Sequence, residues 1–168
     1  MHSSGNSLAA VLTAESLWQF SLRFYPGVKP LCLNMQDTLG VNINLLMLLC
    51  LLEQRKLAIS PAQLFQLHQR LTDFSSVFTQ PLRQLRKHAL QAALLPEQQQ
   101  QLKQTLLHAE LQLEQLEQQL LLQHCPMPYS AAAGLLEHYL SLLCHDSYDP
   151  AHIVDLRQAL AACPLSSD

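Results

Sequence analysis

Apolar residues recur along this chain at the three-and-four spacing of a helix rather than the alternation of a strand. Leu17, Phe20 and Phe24 share a face, with Trp18, Leu22 and Tyr25 beside it, which predicts a first helix from Thr13 to the Pro26-Gly27 pair. Pro30 suits the first turn of a second helix that runs to about Leu39, where Gly40 supplies a left-handed stop. Asn42 caps a third, Ile43 to Arg55, which is apolar on almost every side and belongs at the centre of a bundle. Ser60-Pro61-Ala62-Gln63 reads as a capping box, and Leu64, Leu67, Leu71 and Phe74 continue from it. Pro81 either ends that helix near Phe78 or kinks a longer one that resumes through Leu82, Leu85 and Leu90.

Pro96 opens the longest element, Glu97 to His124. Leu102, Leu106, Ala109, Leu113, Leu116 and Leu120 step along it as a heptad seam. An antiparallel partner within the chain, with the far end pairing between chains, would cover that seam. On the same rod Glu110, Glu114 and Glu117 sit among glutamines and read as a solvated face. Cys125-Pro126-Met127-Pro128 is a linker, after which Ser130 caps a helix through Leu143, and Asp149-Pro150 starts the last one. The expectation is an all-α, single-domain bundle of seven or eight helices over 1–168. Its parts are a first half over 13–95, the long helix over 96–124 and C-terminal helices over 129–163.

Composition agrees. Among 168 residues Leu supplies 39 and Gln 20, whereas Val and Ile together supply 8, a balance that favours helix over sheet. Hydrophobic residues make up 49% and charged ones 14%, which excludes a disordered chain. The longest apolar run, Leu45 to Leu52, is eight residues, too short to span a bilayer, so no membrane partner is expected. Met1 to Ala14 has no leader pattern, and the five cysteines form no CxxC, which together point to the cytoplasm. Net charge is −3, divided as +4 over residues 1–96 and −7 over 97–168.

No nucleophile motif, phosphate loop or paired carboxylate carries chemistry here, so no catalytic residue and no cofactor is assigned. Pairing His124-Cys125 with Cys144-His145 does not make a metal site, because adjacent helical side chains diverge by about 100°. Two stretches remain. Gln36, Asp37, Asn42 and Asn44 surround the turn before the most apolar helix, where they either pin the turn or line a small polar pocket in an apolar bundle. Arg83, Arg86 and Lys87 share one helix side, where they either bind phosphate or an acidic partner or pair with Glu110 to Glu117.

Leu17-Trp18-Gln19-Phe20, Cys32-Leu33, Gln36-Asp37-Thr38-Leu39-Gly40, Asn44-Leu45-Leu46 and Pro81-Leu82-Arg83-Gln84-Leu85-Arg86 resemble an uncharacterised proteobacterial family of small helical proteins. Its pattern reads LWxF, CLxLQDxxG, NLLL and PLRxLR, and the resemblance covers about residues 15–90. It implies a short, cytoplasmic, helical protein and supplies no catalytic residue. Genes of that family lie near one for an ABC-F type ATPase, which implies a translation-related partner. The family's tryptophan around Cys50 to Leu52 is missing here.

Two functions follow as expectations. The first is a non-enzymatic helical module that binds another protein through the apolar and basic surface of the first half or the end of the rod, where a homo-oligomer would also form. The second is a small-molecule-binding or enzymatic bundle with its site at Gln36, Asp37 and Asn44, near Trp18 and Tyr25. Nucleic acid ranks below both: six Lys or Arg lie between Arg55 and Lys87, without a helix-turn-helix or interleaved aromatics.

Overall fold

The first helix does not stop at its prolines. In the computed structural model, which describes residues 12–132 and 134–164, α1 runs unbroken over Ala14–Leu39 with Pro26 and Pro30 inside it. Leu17, Phe20, Ser21, Phe24, Val28, Cys32 and Met35 form one buried stripe past both prolines. Pro26 and Pro30 are exposed, so the carbonyls they leave without a donor face water, and packing of the opposite face carries the helix through. The expectation of two helices over this stretch is corrected: one helix stands where two were drawn. The leaderless reading of Met1 to Ala14 falls largely outside the described residues.

Gly40, at φ 74°, ends α1 in the left-handed conformation and hands its N–H to the Gln36 carbonyl. Asn42, whose side-chain oxygen accepts the Leu45 N–H, then caps α2, Ile43–Gln54. All eight residues from Leu45 to Leu52 are buried, so α2 is the central helix its composition demands. The Ser60–Gln63 capping box opens α3, Pro61–Val77. A break at Phe78 separates it from α4, Thr79–His88. Pro81 is the third residue of α4, where an N–H has no intrahelical partner in any case, so the break precedes the proline. A turn of 3-10 helix, Ala89–Gln91, leads to α5, Pro96–His124.

Leu57–Ala58 (β1) pairs antiparallel with Tyr129–Ser130 (β2), Leu57 opposite Ser130. Ser130 therefore caps no helix, and α6 begins later, at Leu135–Cys144. Asp149 caps α7, Pro150–Ala162. Arg157 of α7 ties the C-terminal helices to the core, with Nε on Glu53 of α2 and both terminal nitrogens on Glu137 of α6 at 2.6 and 2.8 Å. One apolar cluster runs from Leu17 of α1 through α2 and α3 to Leu160 of α7.

The long helix is rotated away from its expected seam. Its buried residues are Glu110, Glu117, Gln118 and Leu121. Leu116 is 47% exposed, and Leu107 and Leu111 are also exposed. The solvated reading of Glu110 and Glu117 is thus corrected: α5 turns carboxylates inward because α4 and α2 supply their partners.

Candidate functional site

Buried polar groups persist only where they find partners, since each orphan costs about 1–3 kcal/mol. Gln118 Nε2 donates to Ser21 Oγ at 2.9 Å and to Asn44 Oδ1 at 3.1 Å. Asn44 Nδ2 donates to Glu117 Oε2 at 2.7 Å, and the Thr79 hydroxyl donates to Glu117 Oε1 at 2.6 Å. Ser21 passes its own proton to the Leu17 carbonyl. This chain joins α1, α2, α4 and α5 across the core and leaves Gln118 Oε1 without a partner. Asn44 is a member of it and does not face the pocket.

Beside the chain, Glu110 accepts from Nε of both Arg83 and Arg86, and Arg83 Nη2 reaches Glu114 at 3.3 Å. Burial by itself would raise the Glu110 carboxyl, but the hydrogen bonds from Arg86 and Arg83 outweigh it and hold the group below the usual range. Glu114 has only the longer contact, and its burial pushes it up against the pull of Arg83. Arg83 and Arg86 thus meet the acidic rod inside the molecule. Lys87 is exposed, and no ion pair engages it among the described residues.

A pocket of about 420 Å³, open to solvent, lies between α1, α3 and α4. The end of α1 and the following turn contribute Gln36, Asp37, Gly40, Val41 and Asn42. From α3 come His68, Thr72 and Ser75, and from α4 Gln80, Arg83, Gln84 and Lys87. Each helical set repeats at three or four residues, so each is a single stripe turned to the hollow. Deeper in, the fully buried Tyr139 of α6 accepts the Asn42 N–H at 3.0 Å, and its oxygen lies 3.1 Å from His68 Nδ1. This bond fixes the turn that forms one wall.

Of the residues singled out in the sequence, Gln36, Asp37, Asn42, Arg83 and Lys87 line this pocket. Arg86 and Asn44 are held by Glu110 and Glu117 instead. Trp18 and Tyr25 are half-buried on α1, 18 and 11 residues before Gln36. At about 1.5 Å per residue both lie more than a helical turn away, and neither lines the hollow. Burial raises the Tyr25 hydroxyl, Cys32 and Glu114 add to that, and Arg83 opposes it. His68, Thr72, Ser75, Gln80 and Gln84 were not anticipated. Their signal in the sequence is a polar stripe, His68-Thr72-Ser75, beside the apolar one of Leu64-Leu67-Leu71. Tyr139 had no sequence signal, because its partner lies 71 residues away.

A family model described as a protein of unknown function, DUF2390, matches residues 16–121. The chain belongs to this family. The DUF2390 match spans α1 to α5 and so contains every residue that lines the pocket, while Tyr139 lies beyond it. No curated protein and no solved structure matches the chain significantly. Among the described residues no three His, Cys, Asp or Glu are grouped as a metal site, and no helix is long and apolar enough to cross a membrane.

Proposed function

We propose that this member of DUF2390 binds a small polar molecule in the pocket between α1, α3 and α4. One observation carries the reading: the turn around Gln36 and Asp37 and the basic helix bearing Arg83 and Lys87, distant in sequence, meet at one open hollow. Its volume lies in the range of about 300–1,000 Å³ usual for ligand sites. Its lining is carboxamides, hydroxyls, an imidazole and charges of both signs, which suits a polar ligand over an isoprenoid one. The protein-interaction reading through the basic face loses support, because Arg83 and Arg86 are already engaged by Glu110.

Native mass spectrometry of protein purified from its own host tests this. Gln84 is exposed, so Gln84→Trp fills the pocket without disturbing the core. A stoichiometric small molecule carried by the wild type and absent from the variant, at equal melting temperature, is the expected result. An adduct retained by Gln84→Trp, or a bare wild type, overturns the assignment.

A protein partner is the second reading, favoured by Phe78 and Leu85, which are 51% and 54% exposed around α4. The double variant Phe78→Ser, Leu85→Ser would then lose a cross-linked partner that Gln84→Trp retains; loss in both, or in neither, would count against it.

A further inference from the structure

Tyr139 is fully buried and keeps its phenolic proton, since burial raises its hydroxyl far above the ordinary value, against the opposing bond from the Asn42 N–H. Its oxygen already accepts the Asn42 N–H, so the O–H must be given away or stranded. Among the described residues the acceptor within reach is His68 Nδ1, at 3.1 Å. Nδ1 is therefore bare, and a neutral imidazole then carries its proton on Nε2. Burial also lowers the His68 pKa, which agrees with a neutral ring. Among the described residues Nε2 meets the Thr72 hydroxyl of its own helix and no other partner, at 3.5 Å, the outer limit of a hydrogen bond. His68 and Thr72 both line the pocket, with Lys87 on the facing helix. A neutral N–H held in a fixed direction, the Lys87 ammonium with no ion pair among the described residues, and flanking carboxamides complement one group, against the single opposing charge of Asp37 in the same lining.

On the pocket reading above, we infer that the ligand carries an oxyanion, a carboxylate or a phosphate, whose oxygen accepts from His68 Nε2–H and whose charge faces Lys87. Tyr139 acts through His68 as a positioning residue, setting which nitrogen bears the proton. The neutral donor matters: unlike an imidazolium, it needs no acidic pH to bind an anion.

Nitrogen-15 histidine spectra of the full chain at pH 7.5 test the inference. The His68 signals are identified by their loss in His68→Asn, and the probes are inorganic phosphate, succinate and glycerol. His68→Asn keeps an oxygen near the Nδ1 position for the Tyr139 hydroxyl but carries no donor out to the Nε2 position, whereas His68→Gln restores an N–H there. The expected spectrum shows protonated Nε2 and bare Nδ1, moving saturably with phosphate or with succinate and not with glycerol; which one acts identifies the oxyanion. His68→Asn should weaken binding about tenfold or more at unchanged melting temperature, and His68→Gln should bind within about threefold of wild type. Protonated Nδ1, an imidazolium, or full binding by His68→Asn overturns the inference. A response to glycerol alone overturns it while leaving the pocket reading standing, and silence to all three probes removes both.

Discussion

Replacing Asn44 with alanine tests whether the core depends on its polar chain. Asn44 gives one hydrogen bond to Glu117 and takes one from Gln118, and both of those side chains are 2% exposed. Losing a bond to a buried carboxylate costs about 1.5–3 kcal/mol, and the one Gln118 N–H that loses its acceptor, while the other keeps Ser21 Oγ, adds about 1 kcal/mol. The expected loss is about 3 kcal/mol, or roughly 6–12 °C for a domain of this size. Urea and thermal unfolding followed by circular dichroism measure it. Glu117→Leu alone strands Asn44 and Thr79 and should cost about 2–3 kcal/mol. The double variant lacks both ends of the shared bond, so its cost should fall short of the sum by about 1–2 kcal/mol. A loss below about 1 kcal/mol for Asn44→Ala, or additivity within about 0.5 kcal/mol, would refute the chain as a cooperative unit. Oxyanion binding should survive Asn44→Ala wherever the protein remains folded, since the residue lies outside the pocket.

Arg157→Met leaves the half-buried Glu53, whose Oε2 already lacks a partner, without its ion pair and should cost about 2 kcal/mol, discounted for the exposure of Arg157 and Glu137; calorimetry checks it, and an unchanged melting temperature would remove the strap from the account. Gly40→Ala meets no atom within 4 Å but must hold φ 74°, so it should destabilise by about 1 kcal/mol through backbone strain alone. Melting temperature should fall as pH drops below the unfolded histidine value of 6.5, because folded His68, lowered by burial, resists a proton that the unfolded chain takes. A second fall should follow below 4.5 as Glu110 and Glu137 lose the advantage their arginines confer, with Glu114, raised by burial, working the opposite way. His68→Asn should flatten the first step and leave the second. Burial pushes the Cys32 thiol to about 12 and the Cys125 thiol to about 11. Iodoacetamide at pH 8 should therefore spare both in the folded protein and label them in urea, as mass spectrometry would show.

Local chemistry determined the helical class and several helix ends. Thr13, Asn42, Ser60 and Asp149 cap where their short polar side chains reach an orphan N–H a few residues on, and that reach needs no distant partner. The run from Leu45 to Leu52 determined the central helix for the same reason, because no face of it tolerates water. Tertiary packing decided the rest. Pro26 signals a stop and Pro30 a fresh start, yet the buried face from Leu17 to Met35 continues beneath them and outweighs two missing bonds on the wet side. A leucine seam promised one orientation of α5, and the pairing of Glu110 with Arg83 and Arg86, and of Glu117 with Asn44 and Thr79, selected another. One part of the candidate site was legible in Gln36, Asp37, Asn42, Arg83 and Lys87, whose polarity stands out against an apolar background. Another part, His68 held by Tyr139, depends on one hydrogen bond between distant segments, and sequence spacing carries no record of such a bond until the chain has folded.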